Sequence, residues 1–360
     1  MTQHQLLERA QENLAVILDN KQDAKDLTSM LLKIADNCTS NLTVQQYVFT
    51  RIEEILGLGT DLADSDVESF GSKHAPLFTS DGVKVVDAPF LRALNSQDIY
   101  LQKSASLGLA CLYTVCEGNT GALIQWINGK LLSPSAGVWD IAAPALAMLS
   151  RRDSARATLI SSGGVNNVMG VLNRVGVNGN PQQVYELCFI MWTLSLGCES
   201  EATVNAFYSA GVIRTFVDLI AAAPSRKIGR MAIATLHNIA KSENDDVLTE
   251  MLTSGLQKLL ENTLASNAFK QGNDPEFEAD VKTLNDVLLK NFRELSTFDR
   301  WVSEVHTGAL RYSVQCIQYS TIFRGLPYVL SCISYKQIAF LTDEIVSIID
   351  GSSRWKIIAS

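Results

Sequence analysis

The side chains best suited to covalent chemistry are Ser195, Asp218 and His237, whose types together make up a hydrolase triad. A nucleophilic serine of that kind sits in a G-x-S-x-G turn, and the residues around Ser195 do not form one. His237 lies between Leu236 and Asn238 in an apolar helical run, where a histidine is typically structural. We therefore predict no catalytic residues and no enzymatic activity.

Cofactor and metal sites are not indicated either. Gly129-Lys130 lacks the upstream glycine of the phosphate-binding pattern G-x-x-x-x-G-K-[ST]. Cys111 and Cys116 are too far apart for a C-x-x-C pair, and no cluster has zinc spacing. The chain has seven cysteines, several of them inside apolar runs, which is typical of reduced core cysteines in a cytosolic protein. We expect no cofactor and no metal.

Polar residues on amphipathic helices are the natural candidates for contact with a partner protein. They are Asn166, Asn167, Arg174, Arg214, Asp218, Gln257 and Lys258. A face that is merely solvated would have the same composition, so both interpretations stay open. The densest basic group, Arg226, Lys227 and Arg230, is placed at a turn and interpreted as solubilising. Asn238 is expected to bond a neighbouring backbone.

These residues are positioned by a unit of sequence that returns three times between Val138 and Leu264. Each copy carries a glycine followed by Val or Leu, at Gly164, Gly211 and Gly255, which lie 47 and 44 residues apart. Fifteen residues before each glycine an apolar helical run ends, in segments 141–149, 187–196 and 231–240. A period in the forties with two or three helices per unit is typical of armadillo and HEAT repeats.

A helix that is apolar nearly all round must be buried between its neighbours, because one amphipathic layer cannot cover it. We therefore predict an all-α, right-handed armadillo/HEAT-like helical solenoid, in which the last helix of each unit lines a concave face. Gly164, Gly211 and Gly255 are expected in equivalent turns, where glycine tolerates a positive φ. Trp192 is predicted to be buried between repeats. A weaker fourth copy covers residues 104–132.

Helices are also predicted outside the repeats. The apolar spacing indicates a helix over residues 5–35 and another over 44–56, capped by Thr43. Residues 57–89 read as a loop that contains a short helix around Phe70–Leu77, and Pro89 starts the next helix. After a polar loop at 267–273, the run Asp274-Pro275-Glu276 is a good helix start. The apolar residues of the helix that follows share one face: Phe277, Val281, Leu284, Leu288, Phe292 and Leu295.

Composition limits the classes of partner. The net charge of −8 and the pI near 5.1 argue against a nucleic-acid surface, so a charged partner should carry basic patches. The N-terminus has no apolar signal-peptide core, and no uncharged apolar run approaches the length of a membrane span. We expect a cytoplasmic protein that does not insert into membranes directly.

The stretch from about Gln46 to Ser313 resembles the H-subunit family of the vacuolar-type proton-pumping ATPase (V-ATPase), specifically its large N-terminal helical domain. The blocks that carry the resemblance are residues 46–56, 90–98, 164–172, 183–196, 288–301 and 308–313. The most specific of them contains Leu-Ser-Thr-Phe-Asp at positions 295–299. Apolar repeats alone would fit many solenoids.

The resemblance implies a non-catalytic regulatory and adaptor subunit of the pump. Members of the family bind the peripheral stalk subunits E and G through the N-terminal domain. Their C-terminal domain bridges the catalytic sector to the membrane sector and silences ATP hydrolysis when the sectors separate. The implied location is cytoplasmic, peripheral on the cytosolic face of vacuolar and endosomal membranes.

The sequence departs from the family pattern after Ser313. We divide it into a solenoid over 1–312 and a divergent tail over 313–360 with no recognised domain. The tail stands where the family has its bridging domain, so the silencing function is expected to be lost while stalk binding survives.

A generic armadillo scaffold or cargo adaptor, such as a nuclear import receptor, is the alternative. That class holds extended peptides with Trp and Asn at recurring positions of the groove helices. Here the corresponding positions read Asn167, Arg214 and Gln257, without a ladder.

Overall fold

The computed structural model of the chain describes residues 14, 16–58, 73–80, 82–135, 137–176, 179–222, 225–265 and 275–295. Within these ranges the structure has fifteen α-helices with defined bounds, further helical residues at 16–19 and 73–74, and no β-strand. The β-type pairings found there are two isolated bridges, Thr79–Val85 and Lys84–Glu117. The prediction of an all-α protein is therefore confirmed.

The helices follow one another with short connections. In chain order they are α1 (Lys21–Asn37), α2 (Leu42–Leu56), α3 (Ala88–Leu94), α4 (Ile99–Val115), α5 (Thr120–Leu132), α6 (Ala143–Leu149), α7 (Asp153–Ser161), α8 (Gly164–Val175), α9 (Pro181–Ser195), α10 (Glu201–Ser209), α11 (Val212–Ala222), α12 (Arg226–Ala240), α13 (Asp245–Thr253), α14 (Leu256–Ala265) and α15 (Pro275–Leu295). Two 3₁₀ turns have defined bounds as well, Ala75–Phe78 and Val138–Ile141.

Asparagine caps decide where the first helices begin. The predicted helix over residues 5–35 is interrupted at Asn20, whose side-chain oxygen accepts the backbone N–H of Gln22 at 3.0 Å. Helix α2 is capped by Asn41, which accepts the N–H of Val44 at 3.2 Å, and not by the predicted Thr43. Residues 5–13 of the first predicted helix lie outside the described residues.

The region predicted as a loop between residues 57 and 89 is described at residues 57–58, 73–80 and 82–89. The 3₁₀ turn Ala75–Phe78 occupies part of the short helix predicted around Phe70–Leu77, whose residues 70–72 lie outside the described ranges. Pro89 is the second residue of α3, within the first turn, where its missing N–H leaves no helical hydrogen bond unmade.

The chain divides into two compact units, Met1–Glu243 and Asn244–Ser360. In the first unit the apolar helices pack on one another in chain order: α4 on α6, α6 on α9, and α9 on α12. The other helices pack on this series, α8 on α5 and α9, and α11 on α12. Stacking of equivalent helices in chain order is the arrangement of a repeat solenoid.

A glycine in the left-handed region precedes the last helix of each repeated unit. Its φ is 85° at Gly163, 70° at Gly211 and 81° at Gly255. The prediction that Gly164 occupies this turn is wrong by one residue, since Gly164 begins α8. A Cβ at Gly164 would lie 2.7 Å from the carbonyl oxygen of Leu159. The first glycine of the pair therefore makes the turn, and the second permits a close approach of two backbones.

Trp192 is half-buried, so the prediction that it is enclosed between repeats is wrong. Its ring lies beside that of Phe189, with centroids 5.6 Å apart. Thr193 is turned inward instead, and its hydroxyl shares a hydrogen bond of 2.7 Å with Ser150 of α6. Because α9 is apolar on nearly every side, its composition does not determine which side meets solvent.

In the second unit α13 and α14 form a hairpin around Gly255, and α15 packs on both. Helix α15 begins at Pro275, as predicted. It buries the predicted apolar residues Phe277, Val281, Leu284 and Leu288. The side chains of Phe292 and Leu295, the predicted loop 267–273 and the predicted tail 313–360 lie outside the described residues.

In the described part of the chain no single helix has both the length and the apolar composition of a membrane span. The consecutive helices α10 and α11 have that length and composition only when they are taken together, and the chain bends by 62° between them.

Alanine at Gly211 should destabilise the protein, whereas alanine at Gly129 should stabilise it. A residue with a Cβ at φ 70° costs about 1–2 kcal/mol. Gly129 lies within α5 with nothing within 4 Å of a Cβ, so alanine there mainly restricts the unfolded chain. The expected gain is about 0.5–1 kcal/mol. Urea unfolding of both variants measures the difference, and shifts of the same sign would contradict it.

Trp192→Ala should lower the free energy of unfolding by about 2 kcal/mol. Truncation of a fully buried aromatic ring costs ~3–5 kcal/mol, and the loss at Trp192 is smaller because part of its indole is already solvated. Phe216→Ala, which removes a fully buried ring of α11, is the matched comparison and should show the full loss. Equal losses in urea unfolding would mean that Trp192 is enclosed after all.

Candidate partner-binding surfaces

The residues predicted to contact a partner lie on the three helices that follow the turn glycines. In order along α8, α11 and α14 they are Asn166, Asn167, Arg174, Arg214, Asp218, Gln257 and Lys258. Two of them are half-buried, Asn167 and Gln257, and the other five are exposed.

Three of the seven bind groups within the chain. Asn167 donates to the side-chain oxygen of Asn128 on α5 at 2.9 Å. Arg174 donates to the carbonyl oxygen of Leu131 at 2.7 Å, in the last turn of α5, where carbonyls lack helical partners. Gln257 donates to Glu261 on its own helix at 3.2 Å. None of these bonds joins two of the seven residues. With the three bonded residues set aside, four exposed candidates remain: Asn166, Arg214, Asp218 and Lys258.

Two further arginines stabilise the ends of the apolar helices, and sequence reasoning missed both. Arg152 donates to the carbonyl oxygens of Tyr113 and Cys116, where α4 ends. Arg156 is buried and donates to the carbonyl oxygen of Ser150 at 3.0 Å, where α6 ends. The guanidinium groups supply the donors that carbonyls at helix ends lack.

The hydroxyl of Ser195 is occupied by structural hydrogen bonds. It donates to the carbonyl oxygen of Trp192 at 2.7 Å and accepts the side-chain N–H of Asn238 at 3.0 Å. Asn238 therefore bonds a side chain of the neighbouring helix, and the expectation of a backbone partner is wrong. His237 is half-buried on α12.

Four of the five described cysteines are buried, Cys38 is half-buried, and all five are free thiols. Burial raises the pKa of the Cys188 thiol to about 12, and that of Cys198 also to about 12. Burial raises the pKa of Cys111 to about 11, with a smaller effect from Cys116. These three thiols stay protonated near neutral pH, as expected for core cysteines.

A partly exposed apolar stripe on α9 did not follow from the sequence. It consists of Tyr185, Phe189 and Trp192, which are half-buried, and Leu196, which caps the helix and is 43% exposed. The ring centroids of Tyr185 and Phe189 are 6.5 Å apart, and those of Phe189 and Trp192 are 5.6 Å apart. The three rings thus form one continuous row along the helix.

The stripe lies between the two edges of α9 that contact neighbouring helices. On one edge Thr193 bonds Ser150 of α6, and on the other Ser195 bonds Asn238 of α12. The fully buried Leu187 lies on the opposite side of the helix. The rings therefore occupy the open side of the stacked helices.

The adjoining side of α12 is basic. Lys227, Asn238 and Lys241 share one side of this helix by their spacing, and both lysines are exposed. The ammonium group of Lys241 donates to the side-chain oxygen of Asn238 at 3.4 Å, which places it beside the contact with α9. Lys227 lies in the first turn of α12, which begins at Arg226, and not at a turn between helices.

We name this surface the α9–α12 face. It comprises the stripe residues of α9 and the three polar residues of α12: Tyr185, Phe189, Trp192, Leu196, Lys227, Asn238 and Lys241.

A family model for the H subunit of the V-ATPase matches residues 3–288. One relative is the V-type proton ATPase H subunit of Dictyostelium discoideum, 25% identical over 281 residues, which cover 77% of this chain and 59% of the relative. Another is the V-type proton ATPase H subunit of Drosophila melanogaster, 23% identical over 298 residues, covering 81% and 60%. The chain thus spans about 60% of the length of these relatives.

Solved structures with a similar fold are armadillo-repeat proteins. A designed armadillo repeat protein has a TM-score of 0.54 at 14% identity, covering 72% of this chain and 98% of the designed one. A second, in complex with the peptide (KR)4, has a TM-score of 0.52 at 14% identity with the same coverage. At this identity the likeness concerns the fold alone, and it confirms the armadillo-like solenoid.

The family match includes all three turn glycines and every helix of the first unit. It extends over far more than half of the chain, and the relatives agree with it. The chain therefore belongs to the family of V-ATPase H subunits.

Proposed function

We propose that the chain acts as a non-catalytic regulatory and adaptor subunit of the vacuolar-type proton-pumping ATPase. The observation that carries this proposal is the family match over residues 3–288. The relatives in Dictyostelium and Drosophila are named for one subunit of that pump. The chain would support ATP-driven proton transport by binding other subunits rather than by chemistry of its own.

The state of the nucleophilic side chains supports a binding role. The Ser195 hydroxyl is held between a backbone carbonyl and the Asn238 amide. The thiols of Cys188 and Cys198 are buried, and their raised pKa keeps them protonated. These three groups are committed to the structure of the solenoid.

The partners would be the peripheral stalk subunits E and G and the catalytic sector. The site of action would be the cytosolic face of vacuolar and endosomal membranes. A solenoid suits this role because stacked helices present an extended surface on which another elongated protein can lie. Of the sequence-predicted contacts in the first unit, Asn166, Arg214 and Asp218 are exposed and take no part in the bonds to other helices described above.

The α9–α12 face also bears on the alternative of an import-type cargo adaptor. The designed armadillo protein of similar fold was solved with the strongly basic peptide (KR)4. A basic peptide on the α9–α12 face of this chain would meet the exposed ammonium groups of Lys227 and Lys241. Like charges at an interface weaken binding, so this face disfavours basic cargo.

Co-purification tests the proposal. Affinity-tagged chain expressed in its own cells should bring down subunits E and G together with catalytic-sector subunits, identified by mass spectrometry. In vitro, purified chain should bind saturably to a catalytic sector that retains its stalk and has been stripped of its own H subunit. A folded chain, as judged by its helical circular dichroism, that recovers no pump subunit in either assay would contradict the proposal.

Arg214→Glu should weaken binding to the stalk several-fold, because an exposed charge pair contributes roughly 0.2–1 kcal/mol and reversal makes it repulsive. Arg174→Ala should leave the affinity unchanged and lower the free energy of unfolding by about 1 kcal/mol, because it removes the bond to the Leu131 carbonyl. Biolayer interferometry and urea unfolding measure the two effects. Wild-type binding by Arg214→Glu would exclude α11 as a contact.

A further inference from the structure

We propose that the α9–α12 face is a docking groove for an acidic, amphipathic helical segment of the pump. The inference rests on the proposed function, since it names the chemistry of a partner segment within that assembly. It differs from the sequence-based expectation, which put partner contacts on the helices that follow the turn glycines and expected a partner with basic patches.

The apolar half of the groove is the row of rings on α9. Tyr185, Phe189, Trp192 and Leu196 repeat at the spacing of successive helical turns and extend over about 16 Å at 1.5 Å per residue. Single exposed apolar side chains are ordinary on protein surfaces, whereas contiguous aromatic rings are typical of contact surfaces. Contact between neighbouring rings also reduces the entropy that binding would otherwise cost.

The basic half of the groove is the adjoining side of α12. Lys227 and Lys241 are both exposed there, in a protein whose net charge is −8. The charged residue of α9 nearest the rings is Glu186, which accepts a hydrogen bond from Gln182 at 2.8 Å. Glu186 precedes Thr193 by two turns and so lies on the α6 edge, away from the lysines. The α12 side therefore favours acidic side chains on whatever occupies the groove.

The geometry favours a helix as the occupant. Helices α9 and α12 pack side by side, and packed helices leave a groove between their open sides. A third helix in such a groove presents side chains at three- and four-residue spacing, which matches the spacing of the rings. Its apolar residues would cover Phe189 and Trp192, and its acidic residues would lie against the α12 lysines.

Charge reversal on the basic half is the primary test, using the full chain and a catalytic sector stripped of its own H subunit. Lys227→Glu with Lys241→Glu should weaken binding at least about tenfold, equivalent to roughly 1.4 kcal/mol. Raising NaCl from about 0.1 to 0.5 M should weaken the wild type more than this variant, because salt screens exposed charges. Unchanged affinity and unchanged salt dependence would overturn the proposal.

A second variant tests the apolar half with little risk to folding. Leu196→Glu places a carboxylate at the exposed end of the stripe and should also weaken binding about tenfold. The matched controls lie on α1, where Lys25, Lys33 and Met30 are exposed. Lys25→Glu with Lys33→Glu, and Met30→Glu, should bind like the wild type. Equal weakening by the controls would show a general charge effect and would also overturn the proposal.

The occupant can be identified by a photo-crosslinking amino acid at position 196. The crosslinked peptide should come from another pump subunit and be acidic with apolar residues at helical spacing. A basic peptide, or a peptide from a second copy of this chain, would overturn the proposal. A wild-type chain that does not bind the stripped sector at all would refute the proposed function, whereas wild-type binding that the groove variants leave intact refutes only the groove.

Discussion

Burial of four apolar helices is the constraint on which the first unit depends. Helices α4, α6 and α9 carry apolar residues around most of their circumference, and α12 carries them on its buried side. Residues such as Leu109, Leu146, Leu187 and Leu236 are fully buried. One neighbour cannot cover such a helix, so α6 packs against both α4 and α9, and α9 packs against both α6 and α12. The stacked series follows from the apolar pattern because no smaller arrangement removes that surface from water.

Stacking places polar groups inside the apolar layer, and several of them are paired by individual hydrogen bonds. Ser150 and Thr193 share a hydrogen bond between α6 and α9, and the buried Arg156 donates to the Ser150 carbonyl. At the end of α4 the hydroxyl of the fully buried Tyr113 donates to Asp87 at 3.0 Å. Burial raises the pKa of this hydroxyl above its ordinary value, and the nearby Asp87 raises it further. Each bond avoids the cost of an unpaired buried polar group.

The need to pair polar backbone groups also decides which surface side chains serve the structure and which are available for function. Arg174 and Arg152 have the long charged side chains expected at an interface, yet both donate to carbonyls at helix ends within the chain. The open side of α9 has no comparable task, since the neighbouring edges of the helix already carry the contacts to α6 and α12. The half-buried aromatic rings on that side, with exposed lysines beside them, form the surface to which we assign a partner.

The sequence by itself determined the helical class, the repeated unit and the family. Helical periodicity and turn glycines reflect local backbone preferences, which can be seen in the sequence. The apolar surface of the central helices is too large for one neighbour to cover, so it predicts stacking without further structural information. Local chemistry also located the start of α15 at Pro275 and its buried face. The likeness of the sequence blocks, in their order, to the H-subunit family is likewise a property of the chain and not of its folding.

Only the tertiary structure decided which side of α9 faces solvent and which polar residues are used internally. A helix that is apolar all round has no polar side that shows which residues face solvent. The sequence therefore predicts a buried Trp192, whereas packing leaves it half-buried. Of two adjacent glycines, Gly163 takes the left-handed turn, and Gly164 lies against the Leu159 carbonyl. Arg174 reaches a carbonyl 43 residues away, which no local pattern encodes. Orientation and polar pairing depend on neighbours brought together by folding, and sequence spacing alone does not contain them.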